Sequence, residues 1–253
     1  MKFLNKKEQV IDLEITKIIP VVNFKYDANA TAKTKEALAA LVSTAINSYS
    51  STQIEKFESV FRYSVVTTLI DEADPAILNN ITTIKMSKTF KPTLNDALKY
   101  TISFSNALFN PHSGHLASTT GTTAGGILSS TGFTITGDAN TYYVEDDGAG
   151  LVKAYYISGT SKVYLTTGSV GTIDYLTGDI VLTKISIATV GDVNSASSNY
   201  IRLTVQPSSN DIVPVRNQIL ELDSVNLSVT GTADTIAAGA GDAGVNYTTT
   251  SSY

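Results

Sequence analysis

The chain has 253 residues, 42% of them hydrophobic and only 16% charged, with 18 basic and 23 acidic side chains for a formal net charge of -5 and no cysteine. That length buries a core as one large or two modest domains, while the scattered Lys and Arg offer no basic stripe for a phosphate backbone and speak against nucleic-acid binding. The absence of cysteine removes disulfides, Cys-based zinc sites and thiol chemistry, and fits a reducing compartment.

The opening residues, MKFLNKKEQ, lack the apolar core of a signal peptide, and no later apolar run is long enough to span a bilayer, so no membrane partner is expected. Ile18 to Tyr26, β-branched and aromatic, reads as a strand with Pro20 near its start. From Thr31 to Tyr49, the spacing of Leu38, Leu41, Val42, Ala45, Ile46 and Tyr49 predicts a helix with one apolar face. Thr52 and Glu55 have the spacing of a capping box, which would open a second helix through Ile54, Phe57 and Phe61. Ser64 would cap a third, short helix through Val65, Val66, Leu69 and Ile70, stopped by Pro75. ITTIKMSKTF, with Ile84, Met86 and Phe90 alternating, and the run Tyr100, Ile102, Phe104 both predict strands.

Beyond Asn110 the character changes to short β-type runs around Phe133–Ile135, Leu151–Ile157, Val163–Leu165 and Ile173–Leu182, with Asp147-Gly148 and Thr177-Gly178 as turns. Ile201 to Val205 and Ile219 to Val229 are further apolar runs. The chain after Gly231 is Ala, Gly, Thr and Ser and cannot build a core, so order there is expected only from a partner. The expected fold class is α+β: an N-terminal strand–helix–helix–strand layer followed by a β-rich antiparallel region. The expected division is 1–110 as an α+β core completed by 201–230, 111–200 as a β-rich domain or insertion, and 231–253 as a flexible tail.

Few constellations carry chemistry. His112 and His115, the only histidines, lie three apart in a loop without a third ligand and read as solvated. Glu145-Asp146-Asp147-Gly148 lacks the terminal Glu of a calcium loop and reads as a hairpin turn. GTTAGG at 121–126 lacks the Gly-Lys-Ser/Thr that grips a phosphate, and no GxSxG elbow occurs. Asp71 and Glu72 are adjacent acids at a helix end, with nothing in the sequence to set them across a cleft. No catalytic residue, metal or cofactor is expected. The thirteen tyrosines stand out, since Tyr142, Tyr143, Tyr155, Tyr156, Tyr164 and Tyr175 crowd the β-rich region. Neighbours on a strand face opposite sides, so Tyr155, Tyr156, Tyr164 and Tyr175 are candidates for an interface, with cross-strand packing as the equal alternative.

LEITKIIPVVNFKYD, followed by NSYSSTQIEKFESVFRYSVVTTLIDEADPAILNNITTIKMSKTFKPT, resembles the core of contractile-phage baseplate wedge proteins, similar to the baseplate J group. YTISFSNALFNPHSGH leading into SSTGFTITG, the hairpin GTIDYLTGDIVL, and VQPSSNDIVPVRNQILELD extend the resemblance over most of Leu13 to Thr230. The similarity is to the C-terminal half of the longer wedge subunit of T-even-like phages. It implies a non-enzymatic structural role in the virion tail baseplate, after assembly in the bacterial cytoplasm. It further implies self-pairing as a homodimer, contact with other wedge proteins in a ring around the hub, and rearrangement on host attachment that releases sheath contraction. The alternative is a β-rich binding module, carbohydrate-binding or adhesive, using the tyrosines.

Overall fold

The computed structural model describes residues 14–111, 126–165, 168–183, 185–191 and 199–234. The expected turns and loops at His112, His115 and 121–125, and the tail from 235 onward, lie outside these residues. The chain folds as a β-α-α-β unit followed by antiparallel sheet, the α+β arrangement its patterning predicts.

The first element, β1 (Glu14–Tyr26), alternates sharply: Thr16, Ile18, Val22 and Phe24 are buried while Asn23 and Lys25 are exposed. It forms the middle of a six-stranded sheet with β2 (Ile77–Phe90), β4 (Ser129–Ser130), β12 (Ile201–Val205), β13 (Gln218–Leu222) and β14 (Ser228–Ala233), in the order β13-β1-β2-β12-β4 with β14 also on β1. Pro20 therefore sits mid-strand rather than near the start, where it must not interrupt a ladder. The geometry provides for this. β13 runs parallel to β1 along residues 14–18 and β14 along 21–26, both on the same edge, so the two leave a break opposite Ile19 and Pro20. The Ile18 carbonyl accepts from the Asp223 N–H on that edge, and alternation points the Pro20 nitrogen the same way, into the break. The single apolar run expected from Ile219 to Val229 is for this reason two strands.

Helix α1 (Lys35–Tyr49) starts where Thr34 accepts the Ala37 N–H at 3.2 Å, and it buries Leu38, Val42, Ile46 and Tyr49, four of the six residues its spacing singles out. Leu41, by contrast, is 38% exposed. The expected capping box at Thr52 does not open a helix. The chain continues α1 as a single π-helical turn, Ser50–Ile54, in which the Thr52 hydroxyl donates back to the Ser48 carbonyl and Glu55 accepts the Ser50 hydroxyl. Ile54 and Phe61 are buried from this irregular stretch, but Phe57 is 62% exposed. Helix α2 (Tyr63–Asp71) is likewise capped otherwise than expected. Ser64 lies inside it, and the Asp211 carboxylate, 148 positions away, accepts the Tyr63 N–H at 2.8 Å and the Arg62 guanidinium at 2.9 Å. The two helices cover one face of the sheet, α1 over β14 and α2 over β2.

The second sheet has eight strands: β3 (Tyr100–Ser103), β5 (Phe133–Ile135), β6 (Asp138–Asp146), β7 (Leu151–Ser158), β8 (Ser161–Tyr164), β9 (Gly171–Asp174), β10 (Asp179–Leu182) and β11 (Ile187–Val190). Every pairing in it is antiparallel. No described helix covers it, so its inner face packs on itself and toward the first sheet through β4. Val144, Val152, Ala154, Ile173 and Ile180 lie there, in one hydrophobic cluster with the core of the first sheet. The β9–β10 hairpin needs Gly178 twice over: its φ is +78°, and a Cβ would stand 2.3 Å from the Asn106 carbonyl oxygen. Lys88, only 8% exposed, joins the sheets, donating from β2 to the Ser103 carbonyl at 2.6 Å and to Glu14 at 2.7 Å.

Candidate functional site

Strands β6, β7 and β8 pair so that Tyr143 lies opposite Tyr155, and Tyr155 opposite Tyr164. All three therefore share the outer, uncovered face of the second sheet. Their rings form a ladder with centroids 5.8 and 6.0 Å apart. The Lys162 ammonium sits 4.4 Å from the Tyr155 ring centre and also pairs with Glu145, which accepts the Tyr164 hydroxyl at 2.6 Å. Glu145, with burial, pushes the Tyr164 phenol up to about 12. Burial lowers the Lys162 ammonium, but Glu145 and Tyr155 together outweigh it and hold the pKa above the ordinary value. The patch is thus neutral within itself, amphipathic, and fixed by side-chain hydrogen bonds.

The four candidate tyrosines do not converge. Tyr155 and Tyr164 share the outer ladder, but Tyr156 points to the inner face, edge-on to the buried Tyr142 at 5.4 Å. Tyr175 is committed elsewhere: its hydroxyl donates to Asp146 at 2.5 Å, and burial, then Asp146, drive its pKa far up. Sequence reasoning did not single out Tyr143, Lys162 or Glu145 as members of this face. Tyr143 could be placed with Tyr155 only by knowing that Tyr142 pairs with Tyr156, a register fixed by the tertiary fold.

The acidic run 145–147 divides its labour. Glu145 faces outward. Asp146 is buried and accepts the Leu128 N–H at 2.8 Å, the Gly148 N–H at 3.3 Å and the Tyr175 hydroxyl, while Asp147 accepts Ala149 and Leu151 N–H groups across the turn. The run is a hairpin turn with a buried polar anchor. Asp71 accepts from the Asn80 side chain and ties α2 to β2. Among the described residues no group of three or more His, Asp or Glu is placed to hold a metal ion, and no helix is long and apolar enough to cross a membrane. A second surface lies between the C-terminal end of α1 and α2, a groove of about 530 Å³ lined by Ala45, Tyr49, Arg62, Val65 and Leu69.

Residues 16–89 match the family model described as baseplate structural protein gp6, C-terminal domain III. The match runs from the third residue of β1, through α1 and α2, to one residue before the end of β2. A baseplate gp6-like domain therefore covers part of the chain and points to a structural role in a phage baseplate. No curated protein matches the chain.

Proposed function

We propose that the chain is a structural subunit of a contractile phage tail baseplate, built into the wedge or inner ring that links subunits around the hub. In this reading it resides in the virion, contacts other wedge proteins and a second copy of itself, and moves with the ring when host attachment releases the sheath. The observation that carries the proposal is the gp6-like match over residues 16–89, the two helices and the two central strands of the first sheet. Two features of the chain support it. The chain is poor in charged residues, which leaves little electrostatic barrier to packing against neighbours. Its second sheet presents an uncovered face on which Tyr155 and Tyr164, joined by Tyr143, form an aromatic patch of the kind enriched in protein interfaces. A sugar-stacking platform fits that patch less well, because Lys162 already occupies the Tyr155 ring face.

Immunogold labelling of purified virions is the direct test, with antibody raised against the chain. Label is expected at the distal end of the tail. Label along the sheath, on the capsid or absent from the particle would remove the proposal.

A further inference from the structure

The edges of the first sheet are not equally protected. On β13, which borders β1, the outward Leu222 N–H is taken by the Ser50 hydroxyl at 3.1 Å. The free edge of β12 is covered by β4, by the Thr131 N–H on the Arg202 carbonyl and by the Phe109 N–H on the Gln206 carbonyl. The edge of β14 differs. In its parallel pairing with β1, Val22 lies opposite Val229, Phe24 opposite Gly231 and Tyr26 opposite Ala233, and the ladder continues into the Asp234 N–H on the Tyr26 carbonyl. The even residues of β14 thus bond to β1, and the N–H and C=O groups of Val229, Gly231 and Ala233 point outward. Among the described residues none of these groups has a hydrogen-bond partner. The strand also lacks the usual guards, since SVTGTA contains no charge and no proline and pairs without a bulge.

What this edge accepts is limited by α1, which lies over β14. Antiparallel pairing of β14 with the β14 of a second copy would set two such helices one strand spacing apart, about 4.8 Å. Packed helices need about 8–10 Å. The edge therefore suits a lone extended segment with no helix above it. The flank of α1 away from the α2 groove carries Ala39 and Ser43, whose small side chains leave room beside the edge. The chain holds one segment of matching chemistry, Val245-Asn246-Tyr247-Thr248-Thr249-Thr250-Ser251-Ser252-Tyr253, uncharged in its side chains and rich in β-branched and aromatic residues. Thr235 to Gly244, largely Ala and Gly, precede it and can span about 33 Å when extended.

We propose that the outer edge of β14 receives the segment Val245–Tyr253 of a neighbouring copy as an added strand, bonded through Val229, Gly231 and Ala233. Reciprocal exchange closes as a two-fold pair, and one-way exchange propagates around a ring. The proposal deepens the reading of the chain as a self-associating assembly subunit and rests on it.

The test uses the full chain in sedimentation equilibrium, with amide exchange read residue by residue. The native chain is expected to associate, with Val229 and Gly231 protected about 100-fold relative to an unstructured peptide. Excess synthetic peptide of residues 245–253 should return it to the 26.9 kDa monomer. Ala233→Pro removes an outward N–H without touching the β1 ladder, so it should weaken association at least about tenfold at an unchanged melting temperature. Thr230→Pro, which removes an inward N–H, should lower the melting temperature instead. Association of Ala233→Pro equal to that of the native chain, or fast exchange at Val229 and Gly231 in the associated form, would overturn the added strand while leaving self-association by another surface intact. A native chain that stays monomeric with these amides protected would overturn donation by a neighbour. Neither result bears on where the protein sits in a virion, which the labelling experiment decides.

Discussion

The two sheets solve the same burial problem by different means. The first has a long central strand flanked by both parallel and antiparallel neighbours, and two helices seal one of its faces. The second is antiparallel throughout, has no described helix, and holds its inner face closed with shorter strands, tight turns and buried polar anchors such as Asp146. A helix-sealed sheet puts its stability into apolar packing, whereas an uncovered sheet must rely more on specific hydrogen bonds that also set its turns. The gp6-like match falls on β1, β2 and the two helices that belong to the first sheet. The aromatic face sits on the second.

The largest effect should come from emptying the helix-sealed core. Phe24 is buried near the C-terminal end of β1, with its ring against Gly231 of β14. Phe24→Ala should cost about 3–5 kcal/mol in denaturant unfolding, because the rigid layer above cannot collapse into the space. A loss below about 1 kcal/mol would show that α1 is not a fixed lid and would undo the contrast between the sheets.

Next comes Asp146→Ala on the second sheet. It leaves the Leu128 N–H, the Gly148 N–H and the Tyr175 hydroxyl without their acceptor, at an expected cost of about 1–3 kcal/mol. Calorimetry should also show the Tyr175→Phe, Asp146→Ala double variant losing less than the sum of the singles, since the two share one bond.

The response to pH separates the regions further. Asp74, which accepts the Lys33 ammonium and the Ala76 N–H, and Asp211, which accepts the Tyr63 N–H and the Arg62 guanidinium, are held below the ordinary carboxylate value. Their folded pKa is depressed, so their contribution is full above the unfolded value of 3.8 and disappears as pH falls through the folded one. In the second sheet Asp138, half-buried at the start of β6, and Asp174, exposed at the end of β9, are lowered too, so the acid arm is shared. The alkaline arm belongs to the second sheet. Tyr142, through burial and then Asp138, and Tyr164, through Glu145 and then burial, are raised to about 12 from 10.0. Their folded pKa is raised, so their contribution is full below pH 10.0 and is lost as pH climbs through about 12. Tyrosinate absorbance followed against pH should show a late-ionising group of phenols, which Tyr142→Phe reduces by one. Ionisation of every phenol in a single step near pH 10.0 would contradict the hydrogen-bonded placement of both.

How much of this was legible in the sequence follows from where each determinant lies. The α1 stripe and the alternation of β1 and β2 are local periodicities, and the helix and strands appear where the spacing puts them. The failures are partly local and partly long-range. Thr52 and Glu55 have the spacing of a capping box, yet the first prolongs a π-helical turn and the second accepts from Ser50, because Ile54 must reach the core. The acceptor at the start of α2 is Asp211, which no window around Tyr63 contains. The break between β13 and β14 is decided by Pro20, two hundred positions earlier. On the site, alternation correctly puts Tyr155 and Tyr156 on opposite faces. It could not show that Tyr143 joins the first or that Asp146 claims Tyr175.

The smallest expected effect is the most useful for the aromatic face. Tyr164 is 42% exposed, and its hydroxyl bonds to Glu145, which Lys162 already balances. Tyr164→Phe keeps the ring in the ladder with Tyr155 and removes only that bond, while Glu145, its side chain 14% exposed, keeps its pairing with Lys162. The expected loss of stability is therefore about 0.5 kcal/mol or less. If the outer face of β6, β7 and β8 is an interface between subunits, the same hydroxyl becomes desolvated there, and Glu145 loses access to water as a substitute. Losing the bond then costs association more than it costs the isolated fold, by about 1–2 kcal/mol. Paired measurements on the native chain and on Tyr164→Phe, unfolding at low concentration and sedimentation at high concentration, separate the two cases. Equal, small changes in both would leave the ladder a matter of cross-strand packing within one subunit.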